Sequence, residues 1–122
     1  MTKSNRQFID RLGIITSGIC ALHCAAIPIL ISFGLIGSMS GVMHDFLELS
    51  VIVMSGFLAV FSIYNGLNGH GRLHPQLAIG AGASSIVFGY VVPTLGHGFM
   101  AFGGALLLYG HWLNWRQLSI QD

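Results

Sequence analysis

The sequence predicts an all-α integral membrane protein: a single domain, residues 1–122, in which four transmembrane helices form a bundle with cytoplasmic N- and C-termini. The first observation is composition, because 53% of the 122 residues are hydrophobic and only 7% are charged. A soluble domain carries about a quarter charged residues, so a soluble core does not explain these values. The second is a mean hydropathy of +0.74. The third is that charge-free stretches of membrane-spanning length cover most of the chain.

The spans follow from these charge-free stretches and from the turn signals that divide them. Stretches without Lys, Arg, Asp or Glu run over residues 12–44, 49–71 and 73–115. The first is long enough to cross a bilayer and then turn. The last is long enough for two spans and is divided by a turn signal around Pro93. The predicted spans are residues 12–36, 44–67, 75–92 and 97–115.

The basic residues predict the orientation. They precede the first span, separate the second from the third, or follow the fourth: Lys3, Arg6, Arg11, Arg72 and Arg116. The positive-inside rule makes their side of the membrane cytoplasmic. The apolar stretch after the N-terminal basic residues is too long for a signal-peptide core, so we expect it to remain as the first span.

The same totals argue against several functions. A net charge of +1 gives no bulk attraction for a nucleic acid, and two cysteines within one helix do not form a secreted disulfide framework. There is no Ser/His/Asp arrangement and no Gly-rich phosphate loop after a strand. We therefore expect neither an enzyme nor a tightly bound cofactor.

The most informative motif is Cys20-Ala-Leu-His-Cys24 in the first span. Cysteines four residues apart share a helix face, with His23 beside them, and Cys24 lies about 18 Å beyond Leu12, near the bilayer midplane. Two thiolates in a line suit Hg²⁺ or Cu⁺, and an added imidazole gives the N/S set that Zn²⁺ prefers. Simple packing of two small thiols is the alternative. An imidazole at membrane depth favours the ligand interpretation.

The other candidate metal ligands divide by depth. His111 lies near the cytoplasmic end of the fourth span, where a ligand role and an interfacial hydrogen bond are both open. His44 and Glu48 share a face at the outer start of the second span, and His97 begins the fourth span on the same side. These three form a candidate outer metal site, with helix capping as the alternative role for Glu48.

Three segments together resemble a known family. Residues 10–28 read D-R-L-G-I-x-x-S-G-x-C-A-L-H-C-x-x-x-P, His44-Asp45 begins the second span, and His111-x-x-Asn114 closes the fourth. This pattern closely resembles the MerC family of small mercury-resistance membrane proteins, from about residue 10 to residue 114. The resemblance implies a bacterial inner-membrane protein of four helices that takes up Hg²⁺, with Cys20 and Cys24 as its ligands.

Two features depart from the family pattern, which has adjacent cysteines in the first helix and a second pair near the C-terminus. Here the spacing is Cys-x3-Cys, and no cysteine follows Cys24. Zn²⁺ and Cu⁺ therefore remain alternatives to Hg²⁺ as the transported ion. Transport into the cell implies a periplasmic metal donor and a cytoplasmic acceptor as partners. Four short helices enclose little interior, which is compatible with a homodimer.

Two functions of other classes compete with metal transport. A haem-linked redox protein needs axial histidines at matched depth on two helices, for which His23 and His111 are the available pair. A structural membrane subunit needs no ligand, and its cysteines and histidines only pack.

Overall fold

A computed structural model describes residues 2–32, 41–69 and 71–120, and over these ranges the chain is helical apart from short connections. The helices are α1 (Lys3–Ser32), α2 (Gly41–Gly69), α3 (Leu73–Val91) and α4 (Gly96–Ile120). The all-helical prediction is confirmed for this part of the chain. Two stretches, Ser4–Ala26 in α1 and Asp45–Gly69 in α2, are long and apolar enough to cross a membrane. That α3 and α4 also cross it stays a prediction.

The helices extend beyond most of the predicted span boundaries. α1 begins at Lys3 because its polar first turns continue the helix of the apolar span, and the predicted end of that span at residue 36 lies outside the described residues. α3 ends at Val91 shortly before Pro93, whose ring leaves no N–H for a helical hydrogen bond. A turn closed by Leu95 N–H donating to the Val92 carbonyl (3.3 Å) then leads into α4.

The backbones of α3 and α4 lie in direct contact through glycines. A Cβ at Gly82 would lie 2.8 Å from the Gly103 carbonyl oxygen, and a Cβ at Gly89 would lie 2.7 Å from the Gly96 carbonyl oxygen. Small residues permit such an approach in membrane bundles, where helices gain no hydrophobic energy by associating. The close contact fixes α3 along most of its length against α4.

α1 packs antiparallel to α4 on another side, and two contacts define the register. The His111 ring lies against Gly13, where an added Cβ would be 2.5 Å from the ring. Farther along, Gly104 lies against the backbone of Ala21, with 3.0 Å from a Cβ at Gly104 to the Ala21 Cα. This register places residue 100 of α4 level with residue 24 of α1.

The buried face of α1 carries small or polar side chains. Its buried residues, among those described, are Asp10, Gly13, Ser17, Cys20 and Cys24. Their spacing of three or four residues keeps them on one stripe of the helix. Both cysteines therefore face the bundle interior, and the exposed residues of the same helix are free to face lipid.

A buried hydrogen-bonded cluster links all four helices near the N-terminal end of this stripe. The Asp10 carboxylate, which is 1% exposed, accepts a 2.6 Å hydrogen bond from Ser62 Oγ of α2. It also accepts bonds of 3.0 and 2.9 Å from Asn114 Nδ2 of α4. Gln76 Nε2 of α3 donates to Asn114 Oδ1 at 3.1 Å. The His111 Nδ1 lies 3.4 Å from Asp10 Oδ1. Each helix thus contributes a side chain to one polar centre.

This cluster makes the helix positions mutually dependent. A buried carboxylate is costly unless several donors satisfy it, and here the donors come from α2 and α4. Because Asp10 lies opposite Ser62 in the antiparallel pair of α1 and α2, residue 24 of α1 is level with residue 48 of α2. The polar centre therefore sets which residues of α2 and α4 lie beside the cysteines.

The glycine contact predicts opposite effects for two neighbouring substitutions in α3. Gly82→Ala should lower stability by about 1–3 kcal/mol, because the new methyl group would overlap backbone atoms of α4. Gly80→Ala meets nothing within 4 Å and should leave stability unchanged or raise it, since alanine favours a helix. Unfolding of the two variants in detergent checks this. Equal midpoints would show that the helices do not touch at Gly82.

The polar centre predicts that Asn114 contributes far more to stability than an exposed asparagine. Asn114→Leu removes two donors from Asp10 and the acceptor of Gln76, and we expect a loss of about 2–4 kcal/mol. Asn68→Leu on the exposed surface of α2 serves as the matched control and should cost under about 0.5 kcal/mol. Chemical unfolding in detergent compares them. Similar values would mean that Asp10 gains nothing from Asn114.

Candidate metal centre

The two cysteines open into one cavity between α1, α2 and α4. It has a volume of about 210 Å³ and is mostly apolar. Its lining residues are Ile19, Cys20, His23 and Cys24 from α1, Leu47, Glu48, Val51 and Ile52 from α2, and Met100 from α4. The predicted donors Cys20, His23, Cys24 and Glu48 are therefore brought together. Three of them, Cys20, His23 and Cys24, come from about one turn of α1, so this helix alone places both thiols on one face.

The thiols themselves are buried and reduced. Cys20 is 2% exposed and Cys24 is 6% exposed, and no disulfide involves either. They lie one helical turn apart on the same face of α1, and both line the cavity. Two thiols four residues apart on one helix face can converge on one ion. Such a pair is the minimum ligand set for a soft ion of low coordination number.

Other donors lie beside the thiols. Glu48 lines the cavity from α2, and His23 lines it from α1. Within the described residues, no three His, Cys, Asp or Glu side chains converge closely enough to hold one metal ion. The arrangement is thus a thiol pair with oxygen and nitrogen donors in the surrounding wall. A two-coordinate ion needs the pair alone, and a change of rotamer is needed to add His23 or Glu48.

Three predicted ligands lie elsewhere or outside the description. His111 is separated from the cavity and belongs to the polar centre around Asp10, where it is 1% exposed. His97 lies in the first turn of α4, exposed, and is not among the residues that line the cavity. His44 lies in the first turn of α2, and its side chain is outside the described part of the chain. The outer site formed by His44, Glu48 and His97 stays a prediction.

The position of His111 also bears on the haem interpretation. Its ring contacts Gly13, whereas His23 lies ten residues farther along α1, about 15 Å at the helical rise. Two imidazoles separated by that distance cannot ligate the same iron atom. The structure does not bring the candidate axial pair together.

His111 has a geometry of its own. With a proton on Nδ1, the ring donates to Asp10, and Nε2 keeps its lone pair. Nε2 is buried and has no hydrogen-bond partner among the described residues. A carboxylate on one ring nitrogen and a free lone pair on the other is the arrangement that orients many histidine ligands. His111 therefore has the form of a ligand at a separate level of the bundle.

Two residues of interest were not anticipated from the sequence. Asp10 lies on the same buried stripe of α1 as Cys20 and Cys24, in which buried residues recur every three or four positions. That spacing is the sequence signal by which Asp10 could have been identified as buried. Met100 gives no such signal, because a methionine in an apolar span is ordinary. Only the packing of α4 against α1 brings it to the cavity.

The family model described as MerC mercury resistance protein matches residues 10–116. Comparison with curated proteins and with solved structures finds no significant match. The matched region covers most of the chain, including the Cys20–Cys24 pair, the cavity around it and the Asp10 polar centre. The chain therefore belongs to the MerC family of mercury-resistance membrane proteins.

Proposed function

We propose that this protein carries Hg²⁺ across the bacterial inner membrane, from periplasm to cytoplasm, by way of the thiol pair of Cys20 and Cys24. The observation that carries the proposal is the cavity in which both buried thiols lie together, at the centre of a chain that belongs to a mercury-resistance family. Thiolates are the protein ligands best suited to a soft ion, and two of them complete its preferred linear coordination.

The chemistry of binding explains how the ion is both held and released. Each thiol loses its proton when it binds the metal, so binding displaces protons and weakens as the pH falls. A third thiol would hold the ion more tightly and slow its departure. A pair of thiolates lets an incoming thiol from a cytoplasmic acceptor displace them one at a time. A periplasmic donor loads the site by the same exchange.

The direction of transport rests on the orientation of the bundle. Arg11 lies 5.7 Å from the centre of the Trp115 ring, and Arg116 lies 5.4 Å from that of Trp112. The first contact brings the start of α1 and the end of α4 together, and the second lies within α4 at the same basic, aromatic end, as expected at a cytoplasmic interface. They support four spans with both termini inside. Glu48 then lies nearer the periplasmic end than Asp10, on the side from which the ion arrives.

His111 is proposed as the ligand on the cytoplasmic side. Its Nε2 has a free lone pair, and Asp10 orients the ring through Nδ1. Because Gly13 contacts the ring, His111 lies about 11 Å along α1 from Cys20. An ion that leaves the thiols reaches this imidazole before the basic end of the bundle. The outer ligands His44 and His97 belong to the same proposal, as predictions from the sequence.

Zn²⁺ is the second candidate ion, and one observation favours it. His23 and Glu48 line the cavity in addition to the two cysteines. Together these are the N, O and S donors of tetrahedral zinc sites. A change of rotamer in His23 or Glu48 would be required to complete that geometry. Binding measurements with both ions distinguish the candidates.

The first test concerns the thiol pair. We expect the double variant Cys20→Ser/Cys24→Ser, reduced and in detergent, to bind Hg²⁺ more than about 100-fold more weakly than the natural protein. Loss of a residue that only hydrogen-bonds to a metal ligand typically weakens binding by about 10–100-fold. Serine preserves the size of each side chain but not the soft ligand. Ala25→Ser places the same hydroxyl on the exposed side of α1 next to Cys24 and should bind as the natural protein does.

The same proteins are then compared in vesicles that contain a trapped thiol acceptor. We expect uptake of Hg²⁺ by the natural protein and by Ala25→Ser, and none above the lipid background by the double variant. Undiminished binding and uptake in the double variant would reject the thiol site. If the natural protein binds and takes up Zn²⁺ but not Hg²⁺ at physiological concentrations, Zn²⁺ is the transported ion.

The role of His111 predicts a separation of binding from transport. His111→Gln retains a donor for Asp10 but lacks the imidazole, so Hg²⁺ affinity at the thiols should change less than about threefold, the scale of a small local perturbation. Uptake into thiol-loaded vesicles should fall about tenfold or more, as for the loss of a metal ligand shell. His74→Gln, an exposed histidine at the same end of the bundle, is the control. Equal uptake by the two variants would limit His111 to a structural role.

A further inference from the structure

A thioether lies in the same cavity as the two thiols. Met100 of α4 lines the cavity with Cys20 and Cys24, and all three belong to one buried core cluster. The register set by the Gly13–His111 and Ala21–Gly104 contacts places Met100 level with Cys24. The three sulfur-containing side chains therefore come from two helices and line one cavity within about one helical turn of depth.

We propose that Met100 is a third sulfur ligand of the cavity and that it gives the site its preference among soft metal ions. This inference rests on the proposed function, because it assumes that Cys20 and Cys24 bind the transported ion. The ligand class is a soft d¹⁰ cation, such as Cu⁺, Ag⁺ or Hg²⁺. Thioether sulfur binds such ions and has little affinity for Zn²⁺, so Met100 would select against the harder ion.

The burial of Met100 supports this role. The side chain is 2% exposed, whereas Met54 of α2 is 54% exposed and faces outward. A buried thioether keeps water from the ion and adds no charge, so the complex of two thiolates with Hg²⁺ stays neutral. With a monovalent ion, the third sulfur completes a trigonal set that two thiolates alone do not provide. Met100 should therefore matter more for Ag⁺ and Cu⁺ than for Hg²⁺.

Met100 also packs against α3, and a role in packing alone must be distinguished from metal ligation. A Cβ at Gly89 of α3 would lie 2.8 Å from Met100 Cγ, so the first part of the side chain is held against α3. Methionine often fills irregular space in a core without binding anything. Packing predicts equal effects on every metal, whereas ligation predicts effects that differ between ions.

The experiment compares Met100→Leu with the natural protein and with Met54→Leu, using Ag⁺ as a redox-stable probe for a soft monovalent ion. Leucine preserves volume and apolar character, so it removes the sulfur alone. We expect Met100→Leu to weaken Ag⁺ binding about tenfold or more, on the scale of losses in a metal ligand shell. Hg²⁺ binding should change less than about threefold, because both thiolates remain. Met54→Leu should change neither.

The outcomes separate this inference from the proposed function. Unchanged Ag⁺ affinity in Met100→Leu, or equal loss for Ag⁺ and Hg²⁺, overturns the ligand role of Met100, and binding that still depends on the thiols leaves the proposed function intact. Ion binding by the natural protein that does not depend on Cys20 and Cys24 overturns both.

A second measurement does not depend on the folding of Met100→Leu. The chain has five methionines, so the ¹³C-methyl spectrum of the natural protein is simple. Resonances are assigned by single substitution of Met39, Met43 and Met54 and by a short N-terminal extension that shifts the resonance of Met1, which leaves that of Met100. Addition of Ag⁺ should shift the Met100 methyl resonance strongly and leave that of Met54 in place. A Met100 resonance that does not move on saturation with Ag⁺ would exclude a sulfur–metal bond.

Discussion

The burial of one carboxylate constrains the whole bundle. Asp10 lies in the interior of an apolar protein, where an unsatisfied charge is too costly to persist. Ser62 and Asn114 supply the hydrogen bonds, and they come from two other helices. Gln76 extends the cluster to the last helix by its bond to Asn114. A slip of α1, α2 or α4 by one turn would break several of these bonds at once, and a slip of α3 would break the Gln76–Asn114 bond. The polar centre therefore ties the register of all four helices together.

The register set by the polar centre determines which residues of α2 and α4 lie beside the cysteines. When Asp10 is opposite Ser62, the antiparallel pairing of α1 with α2 brings Glu48 level with Cys24. The packing of α1 on α4 brings Met100 to the same level. The donor set of the cavity is therefore a consequence of hydrogen bonds about 14 residues away along α1, roughly 21 Å at the helical rise. A polar residue outside the cavity can in this way determine which side chains line it.

Much of the fold was predictable because membrane helices are specified by composition and length. The charge-free stretches and the turn at Pro93 locate all four helices, and the spacing of Cys20 and Cys24 places both thiols on one face. The partners across helices were not predictable, since they depend on register and side-chain packing. For that reason Met100 was missed at the cavity, and Asp10 could not be identified from the sequence as the partner of His111.

The distribution of donors suits an ion that must be released as well as bound. A closed tetrahedral set holds a metal so firmly that it serves structure, whereas transport requires that each ligand be exchangeable. Here only two thiols, those of Cys20 and Cys24, line the cavity. The other potential metal ligands in its wall are a thioether, an imidazole and a carboxylate, which bind soft ions more weakly. His111 stands at a separate depth with its ring oriented by a carboxylate. Under the proposed function, an ion that moves between these positions meets a new partial ligand set at each step and is never fully enclosed, so every ligand stays exchangeable.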